Sequence, residues 1–528
     1  MAKSILDKIL HDDEEVDSVN VISEKEREDS ILYKGVEKYL PVIIFFAAFA
    51  VRVIVLILTD PNSPGWYDDT FHHWQIGYLT KEIGLHQGFL RLWDLKGMEY
   101  FWGLLHPLVL VVLFAITGSV SIVIPRLLSA FCGSLVIALL FLLVRKYFNT
   151  KSAIMASVFA ILMPVSIYSD IAGLQEPLAL SLLLLAIYIL HKKPFFSGVL
   201  LALSGMVRAE YWLFALALFM ASLFSRLKNE KKAVFAVGYI IPVIFYMKYL
   251  ASHAGNAIYP IYWNFLASVK GEWFADVTLS PFVQNVQLLS KLVFIAGVII
   301  CLIIFYKKPK YYLLFLLGFG NILFLAFMFG FGAYLKGYVP RFWVDRLFAW
   351  PYTFLGILLS VLPFYYLPKK INSKFISTFL GVLIIGLVLG LTQLVWPFML
   401  KLAAESKVRL AWEEKLGSKV GEHYQGGSVL IPEDRPQLTY FLAKENGVRG
   451  RNIVGQMFDP FYYIEGDAFL NWGENSKVVI DWIKTNDIRL LVVYPSRQRY
   501  TNLVEAEPQL FNLLETMEGV NIYEISSE

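Results

Sequence analysis

The feature that most constrains this chain is a succession of apolar stretches of near-spanning length, recurring from Tyr39 to Met399. A membrane-spanning helix needs about 20 mainly apolar residues, so a chain built this way has no water-soluble solution. With 57% hydrophobic and 17% charged residues over 528 positions, it reads as a polytopic membrane protein. Hydropathy gives about a dozen spans, the shorter ones being tilted or paired helices. Cys132 and Cys301 both fall in apolar runs and read as packing residues that say little about redox compartment.

Charge then orients the spans. Basic clusters recur at alternate junctions: Arg145 to Lys151, His191 to Lys193, Arg226 to Lys232, Tyr306 to Lys310 and Pro368 to Lys374. Positive loops stay on the cytoplasmic side, so these five are expected inside. The loops around Asp170 to Pro177, Val207 to Trp212, Ser252 to Gln287 and Phe331 to Arg346 are then outside. One stretch resists this count: between an outer loop at residues 60–107 and an inner Arg145 lie two apolar runs, Phe101 to Gly118 and Ile122 to Val144. An odd number is required, so either one run fails to cross or the charge rule fails locally. The net charge of +4 is spread over short loops, which argues for topology determinants and against nucleic acid as a partner.

Residues 1–36 mix both charges and are poor in aromatics, the composition of a disordered or loosely helical cytoplasmic tail, and no cleavable signal peptide is expected in front of the first apolar run. Residues 37–403 form the membrane domain. From about Ala404 the composition becomes that of a soluble α/β domain, residues 404–528, expected outside. In it, Pro432, Glu433, Asp434 and Arg435 make a polar turn that reads as a solvated loop or a substrate contact.

The outer loop 60–107 carries the densest polar chemistry. Asp68 and Asp69 precede a helix whose apolar positions are Phe71, Trp74, Tyr78, Leu79 and Ile83, with His73, Thr80 and Lys81 opposite. That pattern predicts a helix lying along the bilayer surface. An Asp there also satisfies free helix N–H groups, so capping competes with catalysis for Asp69. Asp and His at i and i+4 can converge on an ion, which leaves a divalent metal open, although a histidine bonded to loop backbone is the commoner arrangement.

Several short motifs follow in order: Tyr67-Asp68-Asp69-Thr70-Phe71-His72, His106-Pro107, Arg126-Leu127-Leu128-Ser129-Ala130, Arg145-Lys146-Tyr147-Phe148, Leu174-Gln175-Glu176-Pro177-Leu178, Val207-Arg208-Ala209-Glu210, and Arg346 before Pro351. In order and spacing, over residues 39 to about 365, they resemble the GT-C membrane glycosyltransferases that use lipid-phosphate sugars, and within them the protein O-mannosyltransferase and aminoarabinose transferase branch. The resemblance implies a mainly α, polytopic helical bundle with a small C-terminal α/β soluble domain. It implies that Asp68, the first acid of the pair, is the catalytic base. Asp69 stands where that family usually has Glu, and would position the acceptor. Glu176-Pro177 stands where Asp-Pro is common, keeping the carboxylate with a longer reach. His106 falls in the same set, with shaping of the loop beside Pro107 as its other reading.

The chemistry agrees with these residue types. Attack of an acceptor hydroxyl on an anomeric carbon needs a carboxylate to take the proton, contributing about 10²–10⁴-fold. The lipid phosphate leaves as a stabilised anion and needs cations to hold it. Arg208 and Arg346 each sit at the outer end of an apolar run, where a guanidinium fork suits a phosphate; snorkelling or pairing with Glu210 and Asp345 is the alternative. A single base opposite the leaving group implies inversion. The expected partners are a polyprenyl-phosphate-linked sugar, an acceptor of unspecified type and membrane lipid. En bloc glycan transfer is the neighbouring reading, and residues 404–528 contain no WWDYG motif. A lipid-linked sugar transporter would share the hydropathy but would more often show Gly/Pro-interrupted helices in two related halves.

Overall fold

The computed structural model describes residues 31–65, 69–83, 103–223, 227–265, 281–307, 349–369, 373–433, 435–454 and 472–526, with scattered positions from 323 to 330. Helices dominate as far as His423, and helices mix with strands beyond it. The centre of the bundle is α4 (Val123–Tyr147), enclosed by α1 (Ile31–Leu58), α5 (Thr150–Leu162), α6 (Pro164–Ile171) and α7 (Glu176–Ile189). Val136, Ile137, Leu139, Leu140 and Phe141 of α4 are all buried; five positions within six residues point all round a helix, which is the signature of one surrounded by others. Outside this group, α8 (Pro194–Gly205) packs against α7, α9 (Ala209–Leu223) and α10 (Asn229–Ala254).

Among the described residues, four helical runs are long and apolar enough to cross a membrane: Lys38–Leu58, Val123–Tyr147, Asn229–His253 and Phe375–His423. A fifth is the bent pair α5 and α6, which turn by 62° where Met163 adopts an extended backbone before Pro164, a residue that disfavours helix in its predecessor. Six shorter apolar helices accompany them. The chain is an integral membrane protein.

At one end of the bundle, Lys231 Nζ donates to the His191 carbonyl at 2.9 Å. At the other, Arg126 near the start of α4 donates to the carbonyls of Asp60, Pro61 and Ile171 at 2.6, 2.7 and 2.7 Å, drawing the end of α1 to the turn after α6.

That arrangement settles the odd crossing. α3 (Leu105–Thr117) packs along α2 (Asp69–Ile83). Trp74 Nε1 of α2 donates to the Val120 carbonyl beyond the far end of α3 at 2.6 Å. Both ends of α3 therefore stay with the end of the bundle that holds Asp60, and the run Phe101 to Gly118 is the one that does not cross. Its Val112 and Ile116 are exposed. α2 itself departs from expectation: from Phe71 to Thr80 every residue except His72 is buried, including His73 and Thr80 on the supposed polar side. The second face is covered by α16 (Pro436–Lys444), whose Tyr440 ring stands edge-on to Phe71 and Trp74 at 5.5 and 4.8 Å.

Two further helices, α11 (Tyr259–Phe265) and α12 (Pro281–Lys307), lead to α13 (Ala349–Val361), which packs on α5 and α6. After α14 (Lys374–Gln393), the 28-residue α15 (Trp396–His423) carries the chain into a five-stranded sheet ordered β2-β1-β3-β5-β4. Its strands are β1 (Ser428–Leu430), β2 (Ile453–Val454), β3 (Ile488–Val493), β4 (Phe511–Met517) and β5 (Val520–Ile525). β1 is parallel to β2 and β3, while β5 runs antiparallel to β3 and β4. The period-two alternation of strand side chains makes two cores. Val429, Ile431 and Val492 face Leu416 and Val420 of α15 and Leu438 of α16. Leu430, Leu491 and Val493 face Val479 and Ile483 of α17 (Trp472–Thr485) and Leu503 of α18 (Gln498–Ala506).

Candidate functional site

Four of the expected site residues meet at the Asp60 end of the bundle: Asp69, His106, Glu176 and Arg208. Asp68 and Arg346 lie outside the described residues. Asp69 opens α2, where the positive end of the helix dipole favours a carboxylate, and it is partly exposed. Thr70, next to it, donates to the Ala172 carbonyl at 2.6 Å, which fixes the start of α2 against the turn joining α6 to α7. That turn contains Gly173 at φ +86°, a left-handed conformation open chiefly to glycine. A Cβ there would stand 2.8 Å from the Thr70 methyl, so the close approach of the two segments requires the missing side chain.

The same turn presents Gln175 and Glu176. Gln175 Nε2 meets His73 Nδ1 of α2 at 3.0 Å, and the ring of His73 stands edge-on to that of His106 at 5.4 Å. His106 is fully buried, and neither of its ring nitrogens has a hydrogen-bond partner among the described residues. Glu176 opens α7 without capping it. Its Oε1 instead accepts from Arg208 Nη1 at 3.0 Å. Arg208 ends the turn between α8 and α9, which is held to the start of α3 by the Leu105 N–H donating to the Met206 carbonyl at 3.1 Å. Arg208 thus pairs with Glu176 across the bundle, a partner that sequence proximity does not suggest.

Beneath this surface lies a second ion pair that the sequence reading missed. Arg52 of α1 donates from Nε to Asp170 Oδ2 of α6 at 2.7 Å, with both side chains at 0% exposure. Gly133 of α4 makes the room, since a Cβ there would overlap the Asp170 carboxylate. The signal was available: a lone arginine inside an apolar run must find a partner. At the rim, Lys407 of α15 pairs with Asp60 at 2.9 Å, and Ser406 donates to the Gly65 carbonyl. Partial burial works against the Asp60 carboxylate. The Asn62 N–H, the Lys407 ammonium and the Arg126 guanidinium outweigh it and hold the group below its ordinary range. Among the described residues, no three His, Cys, Asp or Glu side chains are grouped to hold a metal ion.

Chemically, the arrangement offers a carboxylate at the start of α2, a carboxylate–guanidinium pair near the surface and two neighbouring imidazoles. No family model and no curated protein matches the sequence. Among solved structures, the apo oligosaccharyltransferase of Archaeoglobus fulgidus superposes with a TM-score of 0.51 at 12% identity, covering 93% of this chain and 75% of that one. ArnT from Cupriavidus metallidurans, in a crystal structure bound to undecaprenyl phosphate, gives 0.46 at 11% identity, covering 92% of this chain and 97% of that one. The architecture is of GT-C type: a polytopic helical bundle with a small α/β unit at its C-terminal end.

Proposed function

We propose that the chain is a membrane glycosyltransferase that moves a sugar from a polyprenyl-phosphate carrier to an acceptor hydroxyl, with inversion at the anomeric carbon. The GT-C fold supports the class. The observation that carries the reading is the meeting of the start of α2 with the Glu176–Arg208 pair through the His73–Gln175 contact. It brings the acids that open α2 and α7 and the guanidinium before α9 to one end of the bundle.

In this reading the acceptor hydroxyl attacks the anomeric carbon while Asp68 takes its proton. The bond from that carbon to the phosphate oxygen breaks, and the electron pair leaves with the phosphate. Asp69, one residue on, orients the acceptor. Arg208 and Arg346 grip the departing phosphate, and Glu176 holds the Arg208 fork in place until the phosphate arrives. His106 lines the same end, and its free nitrogens suit a sugar hydroxyl. The active site and the C-terminal unit lie on the extracytoplasmic face. Mannose as the sugar and a dolichyl-type carrier are the finer form of the proposal, following the branch that the sequence resembles. A divalent metal is left to experiment.

The test is transfer by purified protein from polyprenyl-phosphate sugars to candidate acceptors. Asp68→Asn is expected to cost about 10²–10⁴-fold and Asp69→Asn less, with the product anomer inverted relative to the donor. Full-rate transfer by Asp68→Asn removes the base. Movement of lipid-linked sugar across vesicles without transfer favours a transporter instead.

A further inference from the structure

The C-terminal sheet contains a feature that glycosyl transfer in the membrane domain does not use. From β1 the chain passes through α16 on one face to β2; from β2 it passes through α17 on the other face to β3, on the far side of β1. The strand order therefore reverses between β1 and β3. In open parallel sheets the crevice outside the carboxyl ends of two such strands is where ligands bind, because the loops there diverge to opposite faces.

Here the two loops bring Glu433 and Arg435 after β1 to face Tyr494, Ser496 and Arg497 after β3. Ser496 Oγ and Arg497 Nε both donate to Glu433 Oε2, at 2.8 and 2.6 Å. Arg435 lies 3.9 Å from Glu433 Oε1 through Nη2 and 3.6 Å from Oε1 of the buried Glu413 through Nη1. Its guanidinium also stacks over the Tyr494 ring at 4.9 Å. The Nε of Arg435 is enclosed with no acceptor among the described residues. Two guanidiniums and a hydroxyl thus converge on one carboxylate, and that carboxylate belongs to a short loop of the chain itself.

We propose that this crevice is a binding site for a carboxylate-bearing acceptor, with the Glu433 side chain holding the place that the ligand's carboxylate takes. The exchange keeps the charge balance, since one carboxylate leaves the arginines as another arrives, and Glu413 keeps its own contact with Arg435. The position suits an acceptor. Glu413 stands seven residues along α15 from Ser406, which bonds Gly65 beside the candidate active site, a distance of about 10 Å on a helix. α16, which begins just after Arg435, is the helix that clamps α2 through Tyr440. Naming the acceptor class in this way rests on the glycosyltransferase reading above.

The experiment is calorimetric titration of the full-length protein in lipid nanodiscs with glucuronate, glucose and inorganic phosphate. Glucuronate is expected to bind and glucose not. Glu433→Gln should tighten glucuronate about fivefold or more, because the internal competitor is neutralised. Arg497→Ala should weaken it about tenfold or more, through loss of a charge-assisted bond. Arg497 is the better arginine to remove, because removing Arg435 strands buried Glu413. Unchanged affinity in Glu433→Gln, or full binding by Arg497→Ala, overturns the site. Phosphate binding as tightly as glucuronate overturns the carboxylate assignment. In the transfer assay, Arg497→Ala should raise KM for an acidic acceptor more than it lowers kcat. A wild-type protein that transfers no sugar strikes the functional reading and with it the word acceptor, while the titration still decides whether the crevice takes a carboxylate.

Discussion

Two arginine–carboxylate pairs lie one below the other in this molecule, and their surroundings differ more than their chemistry. Arg52–Asp170 is sealed at 0% exposure under a glycine that leaves no space for anything else. Arg208–Glu176 sits at 9% exposure in two turns, next to Gln175 with its link to His73. A sealed pair cannot exchange partners, so its role is to hold α1 against α6. A pair at the rim can release one bond and make another, and that is what gripping a departing phosphate demands. In the proposed reading, burial and packing, rather than residue type, separate the pair that holds helices together from the pair that would grip phosphate.

The largest test of that contrast is Asp170→Ala, which leaves the Arg52 charge alone in an apolar interior. It should cost about 3–5 kcal/mol, read as a large fall in Tm and in yield from membranes. Gly133→Ala should act in the same direction by pushing the carboxylate away.

Arg208→Met should instead lower transfer by about 10²-fold, or ~2.7 kcal/mol of barrier. The comparison sharpens in the double variant Glu176→Gln/Arg208→Met, which removes both charges. Its Tm should recover toward that of the wild type while transfer stays low; recovery of activity together with stability would show that the rim pair is structural too.

Thr70→Val tests how α2 is held. Loss of its bond to the Ala172 carbonyl should cost about 1 kcal/mol, with a larger proportional loss of transfer than of stability, because the start of α2 carries the acids.

The smallest effect concerns Asp60 and Lys407. The folded carboxyl ionises more readily than the unfolded one, so the folded state binds fewer protons. This contribution is present above the unfolded value of about 3.9 and drains as pH falls through the lower folded value. Lys407→Met should remove part of it, below about 1 kcal/mol for so exposed a pair, seen as a shallower fall of Tm with acid.

Much of the architecture was legible in the residues. Apolar run length dictated membrane helices. The change of composition near Ala404 announced a sheet, and the grouping of Glu176, Arg208 and His106 with α2 lies among the motifs first singled out. Other features were not readable. Arg52 and Asp170 are 118 positions apart, and no local pattern pairs them. The helix α2 has the periodicity of a surface helix, yet both of its faces are covered, because periodicity reports one buried face and is silent about what covers the other.

By itself, then, the sequence determined the solvent each segment must live in and which residue types are too costly to leave unused there, since transfer free energy belongs to each side chain and is additive along the chain. Only the tertiary structure decided which arginine meets which acid, that α2 is covered on both faces while α3 keeps apolar side chains exposed, and that Glu433 sits between two arginines at a reversal of strand order. Those outcomes depend on distances between residues remote in sequence, and such distances exist only once the chain has packed.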